Sequence, residues 1–349
     1  MDGIATLSNG EAVFLVWTGA RPAYLAKTSM LSRRLARILR PPESGRSLSL
    51  RNVFTRIDIW PSGSKFASTL LHYALAKRHF PEQYLKLTRL RMPAYVRLIL
   101  ANEFPRTQVT TRISGSTSLY YGPFRTRAAA EQFETQLLDL FQIRRCEQNL
   151  EPSPAHPGCI YGEMNMCLRP CQQVVSVSEY RSEVERVAHF LESNGAAVLN
   201  NAVAARDRLS EEMDFEAAAR QHKRIERIES VLALREDLVR DINRLYVIVV
   251  AKSIVADAVT LWFCCRGSWQ APVEFPLASD VSLDRRLRDL MASIEPDEAR
   301  LSDREEHLAL LARWAYSSWR DGELLIFDAW DHAPYRKLVR AISRVHSAA

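Results

Sequence analysis

Four cysteines fall within 26 residues, spaced Cys146-x12-Cys159-x7-Cys167-x3-Cys171, in a stretch punctuated by Pro152, Pro154, Pro157 and Pro170. Such a segment has too few regular elements to bury a core, so a cross-link must fix it. The opening Met1-Asp2-Gly3 lacks a basic region followed by an apolar run, so no secretory leader is expected and the chain reads as cytoplasmic. Structural disulfides are rare in that compartment. Four thiolates instead close a tetrahedral zinc site or hold the irons of a 4Fe–4S cluster. Spacing does not choose between them, and on ligand number alone zinc leads. Cys264-Cys265 lie in a strand-like apolar run and read as small buried hydrophobes.

Charge is the second constraint. The chain of 349 residues carries a net charge of +6. Residues 1–149 hold 22 Lys and Arg against 10 Asp and Glu, whereas the remainder is net acidic. Most of the front cations are Arg, whose planar fork suits phosphate oxygens, so a nucleic-acid partner is expected. No uninterrupted apolar run approaches 18 residues, which argues against a membrane-spanning helix and a membrane partner. There is no Gly-x-x-x-x-Gly-Lys-Ser/Thr phosphate loop, so ATP chemistry is unsupported, and no small-molecule substrate is implied.

Along the chain, residues 11–17 and 22–26 read as strands around Thr18-Gly19-Ala20, and 28–40 as a helix ended by Pro41-Pro42. After a polar stretch come a strand at 53–60 and a helix near 64–79. Strand-like runs at 94–100 and 107–113 precede a Gly115-Ser116 turn, and Thr126 is placed to cap a helix running through Gln142. Residues 178–243 are helical in pattern, with one stripe through Tyr180, Val184, Val187 and Leu191 and another through Phe215, Ala218, Ile225, Ile228 and Leu232. Asn194-Gly195 and Met213-Asp214 punctuate them. Beyond 245 come strands at 245–251 and 257–265, then helices near 281–293, 303–319 and 333–345.

Several of these segments are recognisable. YYGPFRTRAAAEQFETQLLDLFQIRRC (120–146) followed by PGCIYGEMNMCLRPC (157–171) resembles the central segment of the UvrC family of excinucleases. PAYVRLILANEFPR (93–106) resembles the same family's Pro-Tyr…Phe-Pro-Arg stretch, and MDFEAAARQHKRIERI (213–228) resembles its UVR motif. The likeness runs from about residue 11 to 240. It implies an α+β multidomain chain: a small GIY-YIG-like α/β domain over 1–90, a linker and Cys-rich cluster-binding segment over 91–177, a helical hairpin with the UVR motif over 178–243, and a small C-terminal α/β region over 244–349. It implies that Cys146, Cys159, Cys167 and Cys171 hold a 4Fe–4S cluster, with zinc as the alternative. It also implies that Met213, Phe215, Ile225 and Ile228 dock a UvrB-like helicase.

The GIY-YIG domain in that family cuts DNA 3′ to a lesion with one divalent cation, Mg²⁺ or Mn²⁺, held by a helix carboxylate. By position, the resemblance carries a retained Tyr24, Lys27 and Arg34 over as the catalytic set. The three other expected positions differ. The first-motif Tyr is Phe14, without a hydroxyl; the metal-binding Glu falls on His72; and the following Asn falls near Tyr84. No Asp or Glu occurs between Asp58 and Glu82. An imidazole is a poor ligand for a hard cation. The expectation is a DNA-binding excision-repair protein of the UvrC type that cuts weakly or not at all. The rivals are an active 3′-incising endonuclease using Asp58 or Glu82, and an Fe–S redox or RNA-handling protein. Asp328, Asp331 and His332 read as a helix start, and Trp314, Trp319 and Trp330 as residues that pack a small core, with stacking on bases as the alternative.

Overall fold

The computed structural model of the chain describes residues 9–40, 54–115, 117–294 and 303–347. Most of the polar stretch after Pro41-Pro42, and Ser116 of the expected turn, lie outside them. The chain divides into two compact units, one made of Met1–Arg91 with Tyr246–Ala349 and the other of Met92–Leu245.

The first part of unit 1 is a three-stranded antiparallel sheet, order β2-β1-β3, with β1 at Ala12–Thr18, β2 at Arg21–Thr28 and β3 at Arg56–Pro61. The centre strand is apolar throughout because both its faces are covered. Ala12, Phe14 and Val16 pack against α1 (Leu31–Ile38) through Leu31, Leu35 and Ile38. Val13 and Leu15 turn the other way, onto Leu75 and Ala76 of α2 (Lys65–His79). The helix expected over 28–40 is shorter because β2 continues to Thr28, in register with Ala12. Thr28 Oγ1 then accepts from the Met30 amide at 3.1 Å, turning the chain into α1. A short α3 (Tyr84–Thr88) follows α2.

Unit 2 holds a four-stranded antiparallel sheet, order β5-β4-β6-β7, of β4 (Ala94–Ile99), β5 (Arg106–Thr110), β6 (Ser118–Phe124) and β7 (Arg240–Asp241). Thr126 caps α4 (Arg127–Leu138), its Oγ1 accepting from the Ala129 amide at 3.1 Å. The helix stops at Leu138 rather than Gln142 because side chains claim its last backbone groups. The Leu138 carbonyl accepts from Arg145 Nη2 at 2.7 Å, and the Gln142 amide donates to Glu183 Oε1 at 2.8 Å. After a single helical turn, α5 (Ile160–Glu163), come α6 (Val177–Glu192), α7 (Ala196–Glu211) and α8 (Phe215–Ala233). The stripe of Tyr180, Val184, Val187 and Leu191 is buried with Phe133 and Leu137. The helical stretch read over 178–243 is thus three helices, and its end leaves the helix to add β7 to the sheet. Gly195, at φ +77°, makes the first break; a Cβ there would stand 2.5 Å from Leu232 Cδ2. Met213 makes the second at φ +60°, and Asp214 Oδ1 caps α8 by accepting from the Ala217 amide at 3.0 Å.

The second part of unit 1 is a sheet ordered β10-β9-β8-β12, with β11 also paired to β9. Its strands are β8 (Tyr246–Lys252), β9 (Ala258–Cys265), β10 (Ser268–Trp269), β11 (Val273–Pro276) and β12 (Glu323–Phe327). Ile248, Val250, Leu261 and Phe263 pack with Leu287 and Met291 of α9 (Leu283–Ser293) and Leu338 and Ile342 of α11 (Tyr335–Ser347). Between them in sequence lies α10 (Arg304–Ala315). Among the described residues no helix is long and apolar enough to cross a membrane.

Helix α2 joins the two parts of unit 1. Phe66, 1 % exposed, places its ring 4.7 Å from Trp314, 5.1 Å from Trp269 and 5.5 Å from Trp262. The Asp321 carboxylate accepts from the Lys65 amide at 2.5 Å and the Phe66 amide at 3.3 Å, supplying negative charge at the helix N-terminus. Just before the helix, a Cβ on Gly63 would stand 2.1 Å from the Lys252 carbonyl oxygen, so the two backbones touch there. Replacing Phe66 by Ala leaves a cavity walled by three indoles, and the expected loss is about 3–5 kcal/mol. Urea unfolding with an unchanged m-value measures it; a loss below about 1 kcal/mol would mean the indoles pack without it.

Candidate functional site

Strand alternation distributes the retained set over two faces of the front sheet. Tyr24 lies with Phe14, Val16 and α1, and Lys27 points to α2. Arg34 Nη2, on α1, donates to Tyr24 Oη at 2.7 Å. Phe14 is fully buried, its ring 6.0 Å from that of Tyr24. On the other face, Lys27 Nζ donates to Thr69 Oγ1 of α2 at 2.5 Å and stands 5.5 Å from the centroid of the Trp319 ring. Tyr24 and Arg34 are therefore in direct contact, whereas Lys27 pairs with α2 and the C-terminal part.

His72 is the most altered position electrostatically. Burial, with the charges of Lys27 and Arg313, holds its imidazole down to about 4. It is therefore neutral at pH 7, and the charged groups acting on it are both cations. Burial and Arg313 also lower Lys27, while Glu11 and Asp321 act the other way. Those two carboxylates have other partners: Glu11 Oε1 accepts from Ser68 Oγ at 2.7 Å, and Asp321 holds the start of α2. Asp58 accepts from Trp17 Nε1 at 2.8 Å and pairs with Arg56 at 3.0 Å, and Glu82 is exposed.

Tyr84 has been drawn elsewhere. Its hydroxyl donates to Glu306 Oε1 of α10 at 2.5 Å, and Glu306 also accepts from Tyr73 and, at 3.1 Å, from Lys77 Nζ. These donors hold the Glu306 carboxyl below its ordinary value despite its burial. Sequence reading missed Glu306 and Arg313, because nothing local ties α10 to the front sheet, and it singled out Trp319 without a link to Lys27. It also missed the cationic groove of about 680 Å³ whose lining includes Lys27, Arg33, Arg34, Arg37 and Arg40. The signal for the groove was present: Arg33 and Arg37 stand at i and i+4 on the outer face of α1, and Arg40 follows just past its end.

In unit 2 the cysteines share one electrostatic neighbourhood. Burial pushes the Cys167 thiol up to about 11, and Cys146, Cys159 and Cys171 add to the shift. Cys167 and Cys171 are buried, Cys146 is half-buried and Cys159 is exposed. The Arg169 amide donates to Cys167 Sγ at 3.4 Å, and Arg144 Nη1 to Cys146 Sγ at 3.8 Å. Among the described residues no three His, Cys, Asp or Glu side chains form a group that could hold a metal ion as they stand. Of the hairpin residues, Met213 and Phe215 are 77 % and 67 % exposed where α7 turns into α8. Ile225 and Ile228, by contrast, are buried in the unit 2 core, which leaves them no surface for a partner. Trp314 is fully buried, and Asp328, Asp331 and His332 lie at or beside a 3-10 turn over 330–332.

The state of His72 carries a pH signature. An unfolded histidine titrates near 6.5, so between about 6.5 and 4 the unfolded chain binds a proton that the folded chain refuses. Stability attributable to this group therefore falls as pH drops through that window. Wild type should lose up to ~3 kcal/mol more than His72→Gln on going from about pH 7 to about pH 4.5. Equal losses, read as urea midpoints, would mean His72 titrates freely.

Part of the chain is similar to known proteins. Residues 94–190 match the UvrC/Cho excinuclease middle domain. The chain is 24 % identical over 267 residues to UvrABC system protein C of Dehalococcoides mccartyi, covering 76 % of this chain and 44 % of that protein. The same protein of Moorella thermoacetica is 23 % identical over 301 residues, covering 83 % of this chain and 49 % of the relative. That of Edwardsiella ictaluri is 28 % identical over 231 residues, covering 65 % and 38 %. In each case the aligned region spans less than half the length of the relative, and no solved structure matches. With its middle domain at residues 94–190, the chain is a homologue of the UvrC excinuclease family over part of its length.

Proposed function

We propose that this chain is a DNA-binding nucleotide-excision-repair protein of the UvrC type, an accessory or damage-recognition factor with weak or no incision activity. One observation carries the second half of that reading: at the position where the family's helix carboxylate would hold a divalent cation stands a neutral His72 acted on by Lys27 and Arg313. A divalent ion brought there meets two positive charges and no carboxylate from α2, so the residues present do not fit it. Phe14 supplies no hydroxyl, and Tyr84 is engaged by Glu306. What the front sheet keeps, Tyr24 with Arg34 and a row of arginines, suits phosphate binding rather than phosphate cleavage.

The cysteine segment supports a resident 4Fe–4S cluster, with zinc as the alternative. Cys146, Cys159, Cys167 and Cys171 would hold it. Their mutual repulsion as thiolates, in a partly buried loop, calls for a compensating cationic centre. The N–H groups of Arg144 and Arg169 are already aimed at two of the sulfurs. Bound there, the cluster cross-links a segment without a core of its own. Met213 and Phe215 expose two large apolar side chains at one helix turn, a surface suited to a UvrB-like helicase.

The deciding assay is incision of a labelled lesion-bearing duplex with Mg²⁺ or Mn²⁺ and a UvrB-type helicase. Binding without a cut is expected; a cut a few nucleotides 3′ of the lesion would show that other ligands serve the metal. Anaerobically purified protein should carry iron and sulfide, and Cys167→Ser should lose both. Stoichiometric zinc without sulfide would replace the cluster by the tetrahedral site.

A further inference from the structure

The groove along α1 has five cationic side chains in its lining, Lys27, Arg33, Arg34, Arg37 and Arg40, and no carboxylate among the described residues that line it. Arg33, Arg37 and Arg40 are exposed, while the apolar side of the same helix, Leu31, Leu35 and Ile38, is committed to the core. Cations so gathered repel one another, and Arg33 and Arg37 lie off the side of α1 that meets the sheet. Lys27 also lines the groove, while its Nζ reaches the α2 face, where the front sheet meets the C-terminal part of the same unit. Trp319, half-buried in the turn between α10 and β12, lays its ring 5.5 Å from Lys27 Nζ. Arg313, anchored by Nη1 donating to the Thr88 carbonyl at 2.7 Å, adds charge to the same corner, and the exposed Arg320 follows Trp319 in the chain. An aromatic ring among cations beside an arginine-lined channel is the arrangement by which proteins hold unpaired nucleotides: the channel tracks the phosphates and the ring stacks on a base. Duplex DNA offers the phosphates but keeps its bases stacked inside.

We propose that unit 1 holds single-stranded DNA in the α1 groove, with Arg33 and Arg37 on successive phosphates and Trp319 of the C-terminal part stacked on an unpaired base. The site needs both parts of the unit, since the groove comes from one and the ring from the other. It needs no metal ion. This inference rests on the DNA-binding reading above and names the strand state and the side chains that read it.

Fluorescence anisotropy of the full chain with a labelled oligothymidylate, its duplex and an RNA of matching sequence, all in EDTA, tests it. The single strand should bind more tightly than duplex or RNA. Trp319→Ala should weaken single-strand binding about tenfold with little change in salt dependence, and Trp319→Phe should retain most of it. Arg33→Ala with Arg37→Ala should lower the slope of log affinity against log salt by about 1.4. If the alanine variant loses its folded circular dichroism signal, Trp319→Leu, which keeps the apolar bulk without the π face, reads the same loss. Duplex or RNA bound as tightly as the single strand, or Trp319 variants binding like wild type, would overturn this site while leaving DNA binding in place. A wild-type chain that binds none of the three would overturn both.

Discussion

Everything distinctive about unit 1 depends on how α2 is held. One face of the helix packs on the front sheet through Leu75 and Ala76, and its start is gripped by the C-terminal part through Phe66 and Asp321. Three indoles around one phenyl ring make a large apolar contact, and the carboxylate at the helix start adds charge complementarity. At Gly63 the backbones themselves touch. The C-terminal part is therefore built into the front sheet's surroundings, and its residues set the electrostatics of the face that α2 presents.

That arrangement explains how α10 side chains occupy the neighbourhood of the front sheet. Glu306 gathers Tyr73, Tyr84 and Lys77, and Arg313 reaches the corner of Lys27 and His72. The carboxylate that α10 brings is spent on three donors, and the cation it brings is the one that acts on His72. Sign and position together make this corner hospitable to anions.

The sequence disclosed local structure well and long-range structure poorly. The apolar run in Ala12–Trp17, the Thr126 cap and the stripe through Tyr180 are short-range signals, and each formed the element its pattern implied. Helix ends were misjudged where a distant side chain took the backbone group, as Arg145 and Glu183 do at the end of α4. The identities of Phe14, His72 and Tyr84 were legible in the sequence, but their surroundings were not, because Glu306 and Arg313 lie more than 200 residues away with no motif to mark them. Burial divided the hairpin residues in the same way: Phe215 and Ile228 share one stripe, yet the first is exposed and the second is core, because it is the body of α8 that packs into the unit 2 core, against α4 and α7.

Residue 72 sets the charge of this corner. A carboxylate at residue 72 would sit within reach of the charges of Lys27 and Arg313, and it would be drawn to them before any dissolved cation. With a neutral imidazole there instead, both cations stay uncompensated by α2, and the α1 arginines extend the same sign along the groove. A glutamate placed at 72 would therefore quench the positive corner before it met a dissolved cation. The C-terminal part, which supplies Arg313, thus adds positive charge to this corner of the front sheet.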